Sequence, residues 1–188
     1  MNYTSLLLDL DNTLLDFGKA EFFAASQLFK RYGLPHSEAD INLYSKISLS
    51  YWKKFENGEI EKNEIFENRF KDYCKVFKKE KDTAKMATDY FSLLSEGHFT
   101  IDGALDILEY LKNKGYKLYA ATNGVAITQY KRFKESGLSP FFEGIFISEE
   151  TGFQKPAKEY YDYILNHIPE KDKSKILNIG DSQSSDIL

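Results

Sequence analysis

Three leucines in a row, Leu6-Leu7-Leu8, open the chain without any polar alternation, which predicts a strand buried on both faces of a parallel sheet. Further strands are predicted at Lys117 to Ala121, Gly144 to Ser148 and Lys175 to Ile179. Apolar spacings of three and four between them predict helices over Asp102 to Lys114, Ala126 to Ser136 and Ala157 to Asn166, the first two closing at Gly115 and Gly137. Strands alternating with helices imply βαβ crossovers, hence an α/β fold with a Rossmann-like parallel sheet. Between the first and second strands the period changes. Residues 17–97 carry helical spacing alone, with helices predicted at Lys19 to Tyr32, Glu38 to Phe55, Asn63 to Phe77 and Asp82 to Ser95. Breakers such as Gly33-Leu34-Pro35 and Asn57-Gly58 separate them. The pattern divides the chain into a core, 1–16 with 98–188, and an inserted helical segment, 17–97.

In a parallel sheet the loops after the strands gather at one edge, and here each of those loops is polar. After the first strand stand Asp9 and Asp11 in Asp9-Leu10-Asp11-Asn12-Thr13. Two residues apart on an extended chain, their side chains face the same way, and close like charges need a cation or a proton. Turn-forming Asp and Asn are the competing explanation for that stretch alone. Thr122-Asn123-Gly124 follows the second strand, offering a hydroxyl, backbone N–H groups and a glycine that permits close approach. Lys155-Pro156 follows the third, and Gly180-Asp181 through Asp186 the fourth. Asp181 and Asp186 beside Asp9 and Asp11 would form an oxygen-rich pocket suited to a hard divalent cation, with Lys155 the one cation these motifs bring.

Composition narrows the partners. At a formal net charge of −4 the 188-residue chain lacks the basic surface that holds nucleic-acid polymers, although one small anion stays compatible. No stretch nears the roughly 18 apolar residues of a membrane span, no signal segment is evident, and the expected compartment is cytoplasmic. Cys74, the single cysteine, shares a helical stripe with Phe66, Phe70, Tyr73 and Phe77, so burial is expected rather than reactivity. His36, His98 and His167 lack metal-ligand spacing. A calcium loop starting at Asp9 would need glycine at Leu14 and glutamate at Ala20, so that reading fails. No phosphate loop of the G-x-x-x-x-G-K-[ST] kind and no G-x-S-x-G elbow occurs.

Asp-x-Asp-x-Thr at Asp9 to Thr13, then Thr122, Lys155 and Gly-Asp-x-x-x-x-Asp at Gly180 to Asp186, in that order, resemble the haloacid dehalogenase superfamily in its phosphatase branch. The stretches Thr122 to Tyr130 and Ser148 to Pro156 look like its noncanonical pyrimidine 5′-nucleotidases. The resemblance implies a magnesium-dependent phosphomonoester hydrolase. Asp9 would be the nucleophile that forms an aspartyl-phosphate, and Asp11 the acid and base. Thr122, Asn123 and Lys155 would hold the phosphoryl group. Magnesium would be held by Asp9, the Asp11 carbonyl and Asp181, with Asp186 a ligand through water or an orienting partner of Lys155. It also implies that the helical insertion is a specificity cap, that the substrate is a small phosphorylated metabolite such as a nucleotide, and that the C-terminal part of the core is missing after Leu188. A phosphosugar mutase, another small-metabolite phosphatase, or an inactive scaffold would keep the same motifs.

Overall fold

The computed structural model describes residues 3–186. They divide into two compact units, residues 18–97 and residues 3–17 with 98–186. The second contains a four-stranded parallel sheet of β1 (Ser5–Leu8), β2 (Lys117–Thr122), β3 (Gly144–Ile147) and β4 (Ile176–Ile179) in the order β3-β2-β1-β4. The register sets Leu8 beside both Ala120 and Ile179, and Thr122 beside Ile147, so β1 and β4 end together while β2 and β3 run two residues further. The connections run outward from β1 to β3 and then return to the far side of β1. That reversal makes a crevice beyond the ends of β1 and β4, where open α/β sheets bind their ligands.

The leucine run works as its pattern predicts. Leu6 and Leu8 pack with Leu118 and Ala120 against one layer, formed by α5 (Ala104–Asn113) and α6 (Ala126–Glu135) through Ala104, Leu108 and Phe133. Leu7, Tyr119 and Ala121 face the opposite layer, where α8 (Lys158–His167) supplies Tyr160 and Ile164. Each buried leucine contributes about 1.5–3 kcal/mol relative to exposure. Ser148 departs from the sequence expectation: it opens a one-turn helix, α7 (Ser148–Thr151), instead of ending β3.

The other unit holds α1 (Phe17–Arg31), which begins one residue before it, α2 (Glu38–Glu56), α3 (Lys62–Val76) and α4 (Thr83–Ser95). Ser37 and Asp40 form a capping box that starts α2. Phe29, Tyr44, Phe70, Tyr73 and Tyr90 are fully buried and meet ring to ring, Phe29 stacking on Tyr73 at 4.2 Å between centroids. Cys74 is buried among such residues and burial raises its pKa, as expected of an inert thiol. One buried pair went unpredicted. The Arg69 guanidinium lies over the rings of Tyr90 and Phe70 and donates to Ser48, and its charge acts on buried Glu21, whose pKa is nevertheless raised because burial outweighs that attraction. Among the described residues no helix is long and apolar enough to cross a membrane.

Candidate active site

At the end of β1 the ladder runs one residue past the strand, Asp9 donating its N–H to the Ile179 carbonyl. The chain then turns tightly. The Leu10 carbonyl accepts from the N–H groups of Thr13, Leu14 and Leu15, and Asn12 takes a left-handed φ of 60°, which asparagine tolerates better than most residues. Buried Leu10, Leu14 and Leu15 anchor this turn in the core, leaving the two aspartates at its mouth.

Their surroundings differ. Lys155, only 2% exposed, places its ammonium 2.6 Å from Asp9 Oδ1 and 2.6 Å from Asp186 Oδ1. Burial lifts the Asp9 carboxyl to about 7; Lys155 opposes that rise, and Asp11 and Asp186 add to it. For Lys155 burial works against the ammonium, but the two carboxylates outweigh it and the pKa is raised. Asp186 is fixed from behind, its second oxygen accepting from the Ser182 N–H and its carbonyl from the Asn178 amide. Gly180 makes room for this: a Cβ there would sit 2.2 Å from the Asp186 carboxylate.

Asp9, Asp181 and Asp186 can each bring one carboxylate oxygen within 4.8 Å of the others. Three hard oxygen donors share one ammonium, so the set is short of positive charge and fits a divalent cation such as magnesium. The Asp11 carboxylate lies outside that set. Its Oδ1 accepts from Arg132 Nη1 at 2.6 Å and its Oδ2 from Gln129 Nε2 at 2.8 Å. The expectation that Lys155 is the only cation among the four aspartates therefore needs correction, because Arg132 reaches the site from the buried face of α6.

Thr122, fully buried at the end of β2, accepts through Oγ1 from the Gly124 N–H and from Gln129 Nε2. The Asn123 side chain grips the Lys155 main chain: its Nδ2 donates to the Lys155 carbonyl and its Oδ1 accepts the Lys155 N–H. This two-point clamp holds the lysine loop against β2, with the Lys155-Pro156 peptide cis.

A family model for haloacid dehalogenase-like hydrolases matches residues 3–188, and the chain belongs to that family. Among its relatives, HAD-hydrolase YfnB of Bacillus subtilis (strain 168) is 43% identical over 185 residues, spanning 98% of this chain and 78% of that protein. Pyrimidine 5′-nucleotidase PynA of Streptococcus pneumoniae is 41% identical over 187 residues, spanning 100% and 79%. A crystal structure of YfnB bound to magnesium superposes with a TM-score of 0.93 at 42% identity, covering all of this chain and 83% of that one.

Proposed function

We propose that this hydrolase cleaves small phosphomonoesters in two displacements at phosphorus, the first by Asp9 expelling the alcohol and the second by water expelling Asp9, and that nucleoside 5′-monophosphates, pyrimidines before purines, are its substrates. One observation carries the chemistry: a buried ammonium bridges Asp9 and Asp186 at the edge of a parallel sheet, with a further carboxylate beside them. A carboxylate is a competent nucleophile toward phosphorus once the charge on the phosphoryl oxygens is screened. Lys155 would supply part of that screening and the Thr122 hydroxyl a hydrogen bond, while Asn123 holds the lysine loop in place. Magnesium would be held by Asp9, Asp181 and the Asp11 main chain, with Asp186 orienting Lys155. When bound it supplies charge neutralisation at the transferring group. Asp11 would give a proton to the departing alcohol in the first displacement and take one from water in the second. The helical unit would select among leaving groups.

The nucleotide half of the proposal is supported by the 41% identity to a pyrimidine 5′-nucleotidase over the whole of this chain. Its test is phosphate release from UMP, dUMP, dTMP, AMP, a hexose phosphate and phosphoglycolate, compared as kcat/KM. UMP, dUMP or dTMP should lead. A sugar phosphate leading by more than about tenfold, about 1.4 kcal/mol of transition-state preference, would remove the nucleotidase reading and leave the phosphatase one. Isomerised product without free phosphate would instead indicate a mutase.

A further inference from the structure

Helix α6 turns three polar side chains inward, Thr128 at 2%, Gln129 at 0% and Arg132 at 1% exposure; the last two reach the site, and neither is among the residues expected to form it. Their bonds close a circuit. Arg132 Nη1 donates both to Asp11 Oδ1 at 2.6 Å and to Gln129 Oε1 at 3.0 Å. The Gln129 amide nitrogen has two hydrogens, and it lies 2.8 Å from Asp11 Oδ2 and 2.9 Å from Thr122 Oγ1.

We infer that Gln129 and Arg132 are positioning residues that aim Asp11 and Thr122 together, so that proton delivery and phosphoryl binding are set by one network. The inference rests on the roles proposed above for those two residues. A glutamine amide can sit either way round, and here the arginine decides: its N–H faces Oε1, which turns Nε2 toward Asp11 and Thr122. Thr122 is thereby polarised. A hydroxyl has two lone pairs and one hydrogen; the Gly124 N–H and Gln129 Nε2 take the lone pairs, so what remains for a ligand is the hydrogen. An anionic phosphoryl oxygen needs a donor of that kind. Both Asp11 oxygens are likewise held from behind, which fixes the carboxylate plane relative to the mouth of the site.

The packing around Gln129 agrees with the circuit. Gly124 permits a close approach: a Cβ there would lie 2.3–2.6 Å from Nε2, Cδ and Cγ of Gln129. The space that this glycine leaves is filled by the positioning residue itself.

The test is kcat/KM across phosphate esters running from 4-nitrophenyl to phenyl to an alkyl leaving group, together with inhibition by inorganic phosphate, for the parent, Gln129→Met, Arg132→Met, Arg132→Lys and Gly124→Ala. Because kcat/KM reports the first displacement, weakened proton delivery penalises poor leaving groups selectively. Gln129→Met should widen the ratio between 4-nitrophenyl and alkyl esters at least tenfold and raise the inhibition constant for phosphate at least fivefold. Arg132→Met should widen the ratio similarly, with Arg132→Lys recovering part of it. Gly124→Ala leaves Gln129 chemically intact and should still reproduce its effects by displacing it, so the inference stays testable if Gln129→Met does not fold. Loss of thermal stability alone, with the ratio and the phosphate inhibition constant within twofold of the parent in the folded variants, would overturn it. Failure of the parent to hydrolyse any of these esters would instead refute the phosphatase proposal, and this inference with it.

Discussion

Lys155→Met removes the ammonium shared by Asp9 and Asp186 while keeping much of the side-chain volume, and its effect can be sized from the geometry. At 2.6 Å and an effective dielectric constant of about 20, each of the two ion pairs carries about 6 kcal/mol of gross attraction, most of it offset by desolvation. Removing one partner of a buried pair costs about 3–5 kcal/mol, because a buried charge is left uncompensated. Here two carboxylates would be left facing each other. At about 2–4 °C per kcal/mol for a chain of this size, the melting temperature should fall by about 6–20 °C. Asp9, already near 7 with the ammonium present, rises further without it and takes up a proton in the folded state more readily than in the unfolded one. Stability therefore falls as pH rises through and above that range, so the deficit relative to the parent grows with pH. Asp186→Asn in the Lys155→Met background should recover part of the loss by removing the like charge. Magnesium at 100 times its dissociation constant should restore about 2.7 kcal/mol. The assay is thermal unfolding at two pH values with and without magnesium. A Lys155→Met protein melting within about 2 °C of the parent at the higher pH without magnesium would refute the reasoning.

Asp9→Asn should lower phosphate release at least about 10³-fold, about 4 kcal/mol of barrier, with the fold retained by circular dichroism; turnover near the parent rate in a folded variant would remove the nucleophile assignment. Glu21, raised by burial against the opposing pull of its hydrogen bonds and Arg69, binds its proton more tightly folded than unfolded, so its contribution to stability declines as pH rises above about 4.3. Urea unfolding of Glu21→Gln, compared with the parent at about pH 4.5 and pH 7.5, should show the stability difference shifting in the variant's favour at the higher pH. A shift the other way would contradict the sign of that perturbation.

The parallel sheet was legible because Leu6, Leu7 and Leu8 are all apolar, a pattern that only burial on both faces explains, and Leu7 does pack opposite its two neighbours. Helix ends were legible only to within a residue or two. The helix predicted from Asp102 starts at Ala104, since Gly103 takes a left-handed conformation at its N-cap, a choice that side-chain periodicity does not encode. The motif residues could be read because each follows a strand. Gln129 and Arg132 could not be given a role, because on a helix that exposes Lys131, Lys134 and Glu135, two more polar residues at a spacing of three look like part of that exposed face. Their one signal is that Arg132 directly precedes Phe133, which is buried in the core. Arg69 was hidden in the same way, on a helix rich in charge. Nor does a sequence say where an amide side chain will bond, and that of Asn123 is found on the Lys155 backbone.

The central claim, that the phosphoryl group passes through Asp9 on its way to water, is tested most directly by stereochemistry at phosphorus. A nucleoside phosphorothioate made chiral with one heavy oxygen isotope, hydrolysed in water carrying a second, yields a product whose configuration counts the displacements. Two in-line displacements, one by Asp9 and one by water, predict net retention. Net inversion would mean a single direct attack by water and would contradict the account.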